Sequence, residues 1–273
     1  MKKKTLKICA ALLAFALIGF VLVFASAFMG NPLSKLIVSI NSKNYIEKNY
    51  SDLDLVADSP FYSFKTGGYS VYVRSESSVD THFNLSYDIW GRLEYDSYEN
   101  DVLTKNNTFG RINDDYFKAV NSAEDTLPVE CDIFFGDIEC RDYVETGFDG
   151  EPRHEPFGYS LDELIMDGTY DTKETGKKAG RLTAYAVSND GSAENAAEML
   201  LKITEHLESR GIYFYAVDFV IRSPRIEGQS RDNLFNIECF LRSDIYEDGL
   251  AERLQKADEE LDEYYRRADE EGK

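Results

Sequence analysis

Basic residues are in short supply in this chain of 273 residues: 30 Lys and Arg stand against 50 Asp and Glu, a net charge of −20. A chain so acidic repels phosphate backbones, which argues against nucleic acid as a partner. Histidine is scarce, with three residues, so few side chains can titrate near neutrality. No CxxC pair occurs, which removes the zinc-ribbon and thioredoxin-type readings. G-x-G-x-x-G and G-x-S-x-G are missing too, so neither a dinucleotide cradle nor a nucleophile elbow has a motif. Apolar material is not lacking. Hydrophobic residues make up 43% and aromatic residues 13%, enough for a packed core rather than a disordered chain.

The acid shortage at the amino terminus is local and complete. No Asp or Glu precedes residue 31, whereas Lys2, Lys3, Lys4 and Lys7 do, so residues 31–273 carry −24. After the lysines, Ile8 to Met29 form a run of 22 uncharged residues. As a helix this run measures about 33 Å, enough for the ~30 Å hydrocarbon core of a bilayer. The expectation is a single transmembrane helix within residues 1–30, with a cytoplasmic amino terminus and residues 31–273 extracellular at the cell membrane. Ala25-Ser26-Ala27 also fits a signal-peptidase site, so cleavage after Ala27 stays open, although the run is longer than a usual signal core. Cys9 begins the run rather than following it, which disfavours a lipoprotein signal. Beyond the run stand Cys131, Cys140 and Cys239. Cys131 and Cys140 could bridge adjacent strands, or all three could be small buried residues.

The remainder reads as two α+β units, 31–126 and 127–273. In the first, Asn31 as N-cap and Pro32 at the first helical position start a helix to about Asn49. Three or four antiparallel strands follow, marked by alternation around Tyr62–Phe64, Tyr69–Arg74, His82–Asp88 and Leu93–Tyr95. Val102 to Val120 read as loop and helix closing this unit. In the second, strand-like residues 129–144, broken at Gly136, lead into a long loop over 147–180. Ser160-Leu161-Asp162-Glu163 inside it fits a capping box for a short helix. A strand at Leu182–Val187, a helix at Ala193–Arg210, strands at Ile212–Ile221 and Leu234–Leu241 and a C-terminal amphipathic helix at about Gly249–Asp269 complete it. The order suggests helix packed on antiparallel sheet in both units, the second ferredoxin-like. Asp137-Ile138-Glu139-Cys140 and Asn236-Ile237-Glu238-Cys239 are alike, but four matching residues do not establish a repeat.

Several stretches together resemble the YfjL-like proteins of low-GC Gram-positive bacteria. They are the basic start with its apolar run, Gly30-Asn31-Pro32-Leu33, Tyr45-Ile46-Glu47-Lys48-Asn49-Tyr50 with Asp52-Leu53, and Val79-Asp80-Thr81-His82-Phe83. Asn107-Thr108 to Arg111, followed by Tyr116, is a looser match. The resemblance is strongest over about residues 1–120. It implies a membrane-anchored exported protein of two regions and supplies no activity, ligand or site residue.

Individual chemistry candidates fail on spacing. His82 lies on the polar side of its strand, His154 lacks the partner that HExxH requires, and His206 borders the polar side of its helix. Gly176-Lys177 would end a Walker A loop, but Asp171 stands at its first glycine and Lys178 at the magnesium-binding hydroxyl. An EF-hand register from Asp244 places Asp248 and Gly249 correctly, yet Tyr246 and Gln255 occupy ligand positions three and twelve. Glu94, Asp96, Glu99 and Asp101 are dense in oxygen ligands without a loop signature. No catalytic, cofactor-binding or metal-ligating residue is assigned, and no cofactor is expected. The reading is an exported module that binds a membrane-protein or cell-envelope partner rather than an enzyme. The alternatives are an envelope hydrolase using a carboxylate pair and a calcium-dependent binding module.

Overall fold

The computed structural model describes residues 2–148 and 150–270. It consists of two compact units, 1–107 and 108–273. Helix α1 (Lys2–Met29) forms over the apolar run. Among the described residues, however, no helix is long and apolar enough to cross a membrane. The expected transmembrane helix is therefore corrected to an amino-terminal α-helix.

In the first unit, α2 (Pro32–Asn49) starts where the sequence places it: the Asn31 side chain accepts from the Leu33 N–H. Val38, Ser42 and Ile46, four residues apart, bury one stripe of α2. Its partner is a sheet of β1 (Leu55–Ala57), β2 (Phe61–Ser63), β3 (Gly68–Ser75), β4 (His82–Tyr87) and β5 (Leu93–Asp96), antiparallel throughout. Both β1 and β2 pair with β3, followed by β4 and β5. Tyr69, Val71 and Val73 of β3 meet Phe83, Leu85 and Tyr87 of β4 in the core, as period-two alternation requires. The three-residue β1 is too short to have an alternation signal.

In the second unit, α3 (Asn106–Asn121) turns Ile112, Tyr116 and Val120 into the core. The compact units divide between residues 107 and 108, in the first turn of α3, whose apolar stripe is buried in the second core; the sequence reading places the boundary at 126/127. The sheet runs β6 (Cys131–Ile138), β7 (Gly180–Val187), β8 (Ala216–Arg222), β9 (Asn233–Leu241) in simple order. It is mixed: β7 and β8 are parallel neighbours joined through α5 (Ala193–Ser209), and the outer pairs are antiparallel. A ferredoxin-like sheet splits its βαβ strands with a third strand, so that expectation and the purely antiparallel sheet are both corrected. Ala196, Leu200, Ile203 and Leu207 of α5 and Leu250 and Leu254 of α6 (Leu250–Glu270) complete the core.

The expected loop 147–180 contains a further helix, α4 (Thr172–Ala179), capped by Asp171. Its buried residues are Thr175, Gly176 and Ala179, too small to give an apolar stripe. A Cβ on Gly176 would lie 2.0 Å from the Tyr213 carbonyl oxygen, so this glycine serves close packing, not a phosphate loop. Gly136 does not break its strand; a Cβ there would meet Val120 at 2.8 Å and Tyr116 at 3.0 Å. Ser160 does not cap its short 3-10 turn. Asp142 does so, accepting from the Leu161 N–H at 2.7 Å.

Candidate functional site

Helices cover one face of the mixed sheet. On the other face, alternation turns out what the core rejects. Leu182, Ala184 and Ala186 of β7 are buried, while Arg181, Thr183 and Tyr185 face the opposite way into a groove of about 710 Å³. Asp218 joins them from β8, where it interrupts the apolar run Ala216–Ile221. Glu238 arrives through a bulge. The β8–β9 register shifts between Val217 and Phe219, so Glu238 and Cys239 together oppose Asp218. Cys239 takes a left-handed backbone, φ 49°, and its N–H donates to Asp218 at 2.7 Å.

Two arginines organise this face, each 17% exposed in its side chain. Arg181 donates to both Asp218 oxygens at 2.8 and 3.0 Å and to Glu139 at 3.0 Å. Burial works against the Arg181 charge, but hydrogen bonds and attraction from Asp218 and Glu139 outweigh it and raise its pKa. Arg153 lies between Glu238 and Glu145. It also stacks on the rings of Tyr264 and Tyr265, 4.8 and 5.4 Å from their centroids. The Tyr265 hydroxyl donates to Glu238 at 2.8 Å. The segment carrying Arg153 is tied to α6 by the Phe148 N–H, which donates to the Tyr264 hydroxyl at 3.1 Å. Beside it lies a second hollow of about 340 Å³, with Glu151, Glu260 and Tyr264 in its wall. Each arginine thus stands between two carboxylates, leaving both clusters with an excess negative charge.

The matching family models are the YfjL-like N-terminal domain, over residues 3–97, and the YfjL-like C-terminal domain, over residues 131–255. The chain belongs to the YfjL-like family. No curated protein and no solved structure matches it. Arg153, Arg181, Asp218 and Glu238 fall inside the YfjL-like C-terminal domain, whereas Tyr264 and Tyr265 lie beyond its matched residues. The resemblance read from residues 1–120 therefore extends to the second half of the chain.

The residues singled out in the sequence lie elsewhere and do not converge. His82 packs its ring 5.7 Å from that of Tyr72, His154 lies 5.5 Å from Phe157, and His206 is 3.1 Å from the Thr126 hydroxyl. Asp96 accepts from the Tyr45 and Tyr50 hydroxyls, and Asp101 from Ser97, so the run Glu94–Asp101 divides between different partners. Lys177 pairs with Glu174 and Lys178 with Glu163. Among the described residues no group of His, Cys, Asp and Glu is arranged to hold a metal ion.

The loop at Asp244 is informative. The Arg253 guanidinium donates to the carbonyls of Asp244, Tyr246 and Asp248 at 3.1, 2.8 and 2.6 Å. It also lies 3.6 Å from the Tyr246 ring centroid. At positions one, three and five of the EF-hand register the backbone carbonyls thus converge on an arginine.

All three cysteines described here are free. Cys131 opens β6 and Cys140 follows its end, so an extended strand of about 25 Å separates them, far beyond disulfide reach. Burial pushes the Cys131 and Cys239 thiols up to about 11, which keeps both protonated and poorly nucleophilic at neutral pH. The groove residues were missed because none belongs to a motif. Their available signal was a charge at an alternating position within an apolar strand, as in Gly180–Val187 and Ala216–Arg222.

Proposed function

We propose that this protein acts by binding, through the uncovered face of its mixed sheet, a cell-envelope or membrane-protein partner that presents amine or guanidinium groups. The observation that carries this reading is the placement of each groove arginine between two carboxylates. A cationic group entering the groove meets excess negative charge, which attracts ammonium and guanidinium. The carboxylates Glu139, Glu145, Asp218 and Glu238 are all engaged with arginine, which supports a recognition surface over a hydrolase with a spare acid and base. The acidic surface disfavours direct binding of anionic wall polymers.

Calorimetric titration of the full chain with a lysine- and arginine-rich peptide, and with a glutamate-rich peptide of equal length, tests this. Saturable binding of the basic peptide that weakens in Glu238→Gln is expected. Equal affinity for both peptides, or hydrolysis of wall saccharides by the purified chain, would overturn the proposal.

A further inference from the structure

The antiparallel sheet of the first unit exposes several large apolar residues at one end. The β2–β3 turn and the β4–β5 turn both lie at the end where β3 begins and β4 finishes. The start of α2 lies there as well, since the Tyr69 hydroxyl, at the beginning of β3, accepts from the Asn31 N–H at 2.7 Å and donates to the Asn31 carbonyl at 2.8 Å. The first turn exposes Phe64 and the second exposes Trp90, at 62% and 71%. Phe61 is 71% exposed and Met29 82%. Folding normally hides such side chains, and several together mark a surface meant to be covered.

Charge indicates what covers it. This chain carries 50 acidic residues, yet the 510 Å³ hollow at this end has none in its wall, where Lys35 stands among aromatic and proline side chains. Lys65 is exposed in the adjacent turn. The acid nearest to Trp90 in sequence, Asp88, is turned onto the backbone N–H groups of Trp90 and Arg92, both at 2.8 Å. An apolar aromatic collar with lysines at its rim matches the boundary of an anionic lipid leaflet, where ring side chains enter the headgroup region and lysines meet phosphate. The collar is also continuous with the exposed apolar side of α1: the rings of Phe24 and Phe28 lie 5.0 Å apart and those of Phe28 and Phe64 6.4 Å apart.

We infer that this end of the first unit is a lipid-contacting surface that seats the sheet against an anionic membrane face, with Phe61, Phe64 and Trp90 entering the headgroup layer and Lys35 and Lys65 meeting phosphate. This contact is superficial and needs no helix that crosses the bilayer. It is also independent of the groove in the second unit.

Trp90 is the single tryptophan of the chain, so its emission reports this surface alone. The full chain is mixed with vesicles of phosphatidylcholine and phosphatidylglycerol, with vesicles of phosphatidylcholine only, and with mixed vesicles whose acyl chains are brominated. A blue shift and quenching by the brominated lipid are expected with the mixed vesicles. Phe61→Asp with Phe64→Asp should abolish both. Lys35→Glu and Lys65→Glu should each weaken binding to mixed vesicles by about fivefold or more while leaving the neutral vesicles unaffected. A chain that floats with vesicles while Trp90 keeps its aqueous emission is held by α1 alone, and that result overturns the proposal. So does a chain that fails to bind mixed vesicles. The wild-type quenching measurement needs no variant, so a misfolded substitution does not weaken the test.

Discussion

The two units handle surplus surface in opposite ways. The first packs α2 against a fully antiparallel sheet and leaves aromatic side chains exposed at one sheet end, with no acid in the adjoining hollow. The second buries its apolar residues under α3, α5 and α6 and leaves a charged sheet face open. The excess of 50 acids over 30 bases is therefore not a uniform coat. It is absent from the wall of the hollow in the first unit and present beside the arginines that organise the second. A summed charge describes neither place.

The comparison can be broken most forcefully in the second core. Phe219, on the buried side of β8, is fully inaccessible. Phe219→Ala should cost about 3–5 kcal/mol, read as an earlier urea transition of the second unit, while Phe64→Ala should change stability by no more than about 0.5 kcal/mol. Equal effects would mean that the two phenylalanines do not differ as their exposure states. Next in size is the charged face. Arg181→Met leaves Asp218 and Glu139 facing each other without their shared cation, and a loss of about 2–3 kcal/mol is expected. Adding Asp218→Leu should recover part of that loss, and a strictly additive double variant would show that the pair is not coupled.

A smaller effect sharpens the description of the first core. Tyr87 is buried, and its hydroxyl has no hydrogen-bond partner among the described residues. Tyr87→Phe should leave stability unchanged or raise it by about 1 kcal/mol, and a clear loss in thermal melting would reveal a partner for that oxygen. The smallest effect concerns pH. Asp258 caps the exposed side of β9 by accepting from the Asn236 N–H at 2.8 Å. Burial raises its pKa, only partly opposed by that hydrogen bond, and Asp262 and Glu259 raise it further. Folding therefore favours its protonated form. Its contribution to stability grows as pH falls through the raised folded value and levels off below the ordinary aspartate value. In Asp258→Asn that acid-side gain should vanish from melting curves recorded at successive pH values; an unchanged profile would assign it to another group.

The legible parts of the sequence were those with local, repeated chemistry. Asn31-Pro32 fixed the start of α2 because a capping side chain and a prolyl φ act within one turn. The Leu200 and Leu207 stripe and the alternation in β3 and β4 depend only on helical and strand periods. Elements stabilised from outside were opaque. α4 packs through a glycine and small residues against Tyr213, and β1 exists because β3 offers it an edge. The adjacency of β7 and β8 is a choice of topology that strand periodicity does not encode. The groove was invisible for the same reason: Arg153, Arg181 and Glu238 are far apart in sequence, and a bulge at Cys239 is needed to align the last of them.

Arg253 has a wider consequence. Calcium loops hold their shape only while the ion is present, so they loosen under chelation and tighten when the ion returns. Here the cation is covalently part of the chain, with its donors on the carbonyls of Asp244, Tyr246 and Asp248. Its occupancy is fixed, and no change in divalent concentration can empty it. The approach to α6 is thereby braced by a guanidinium of the chain itself, three carbonyls on one side chain.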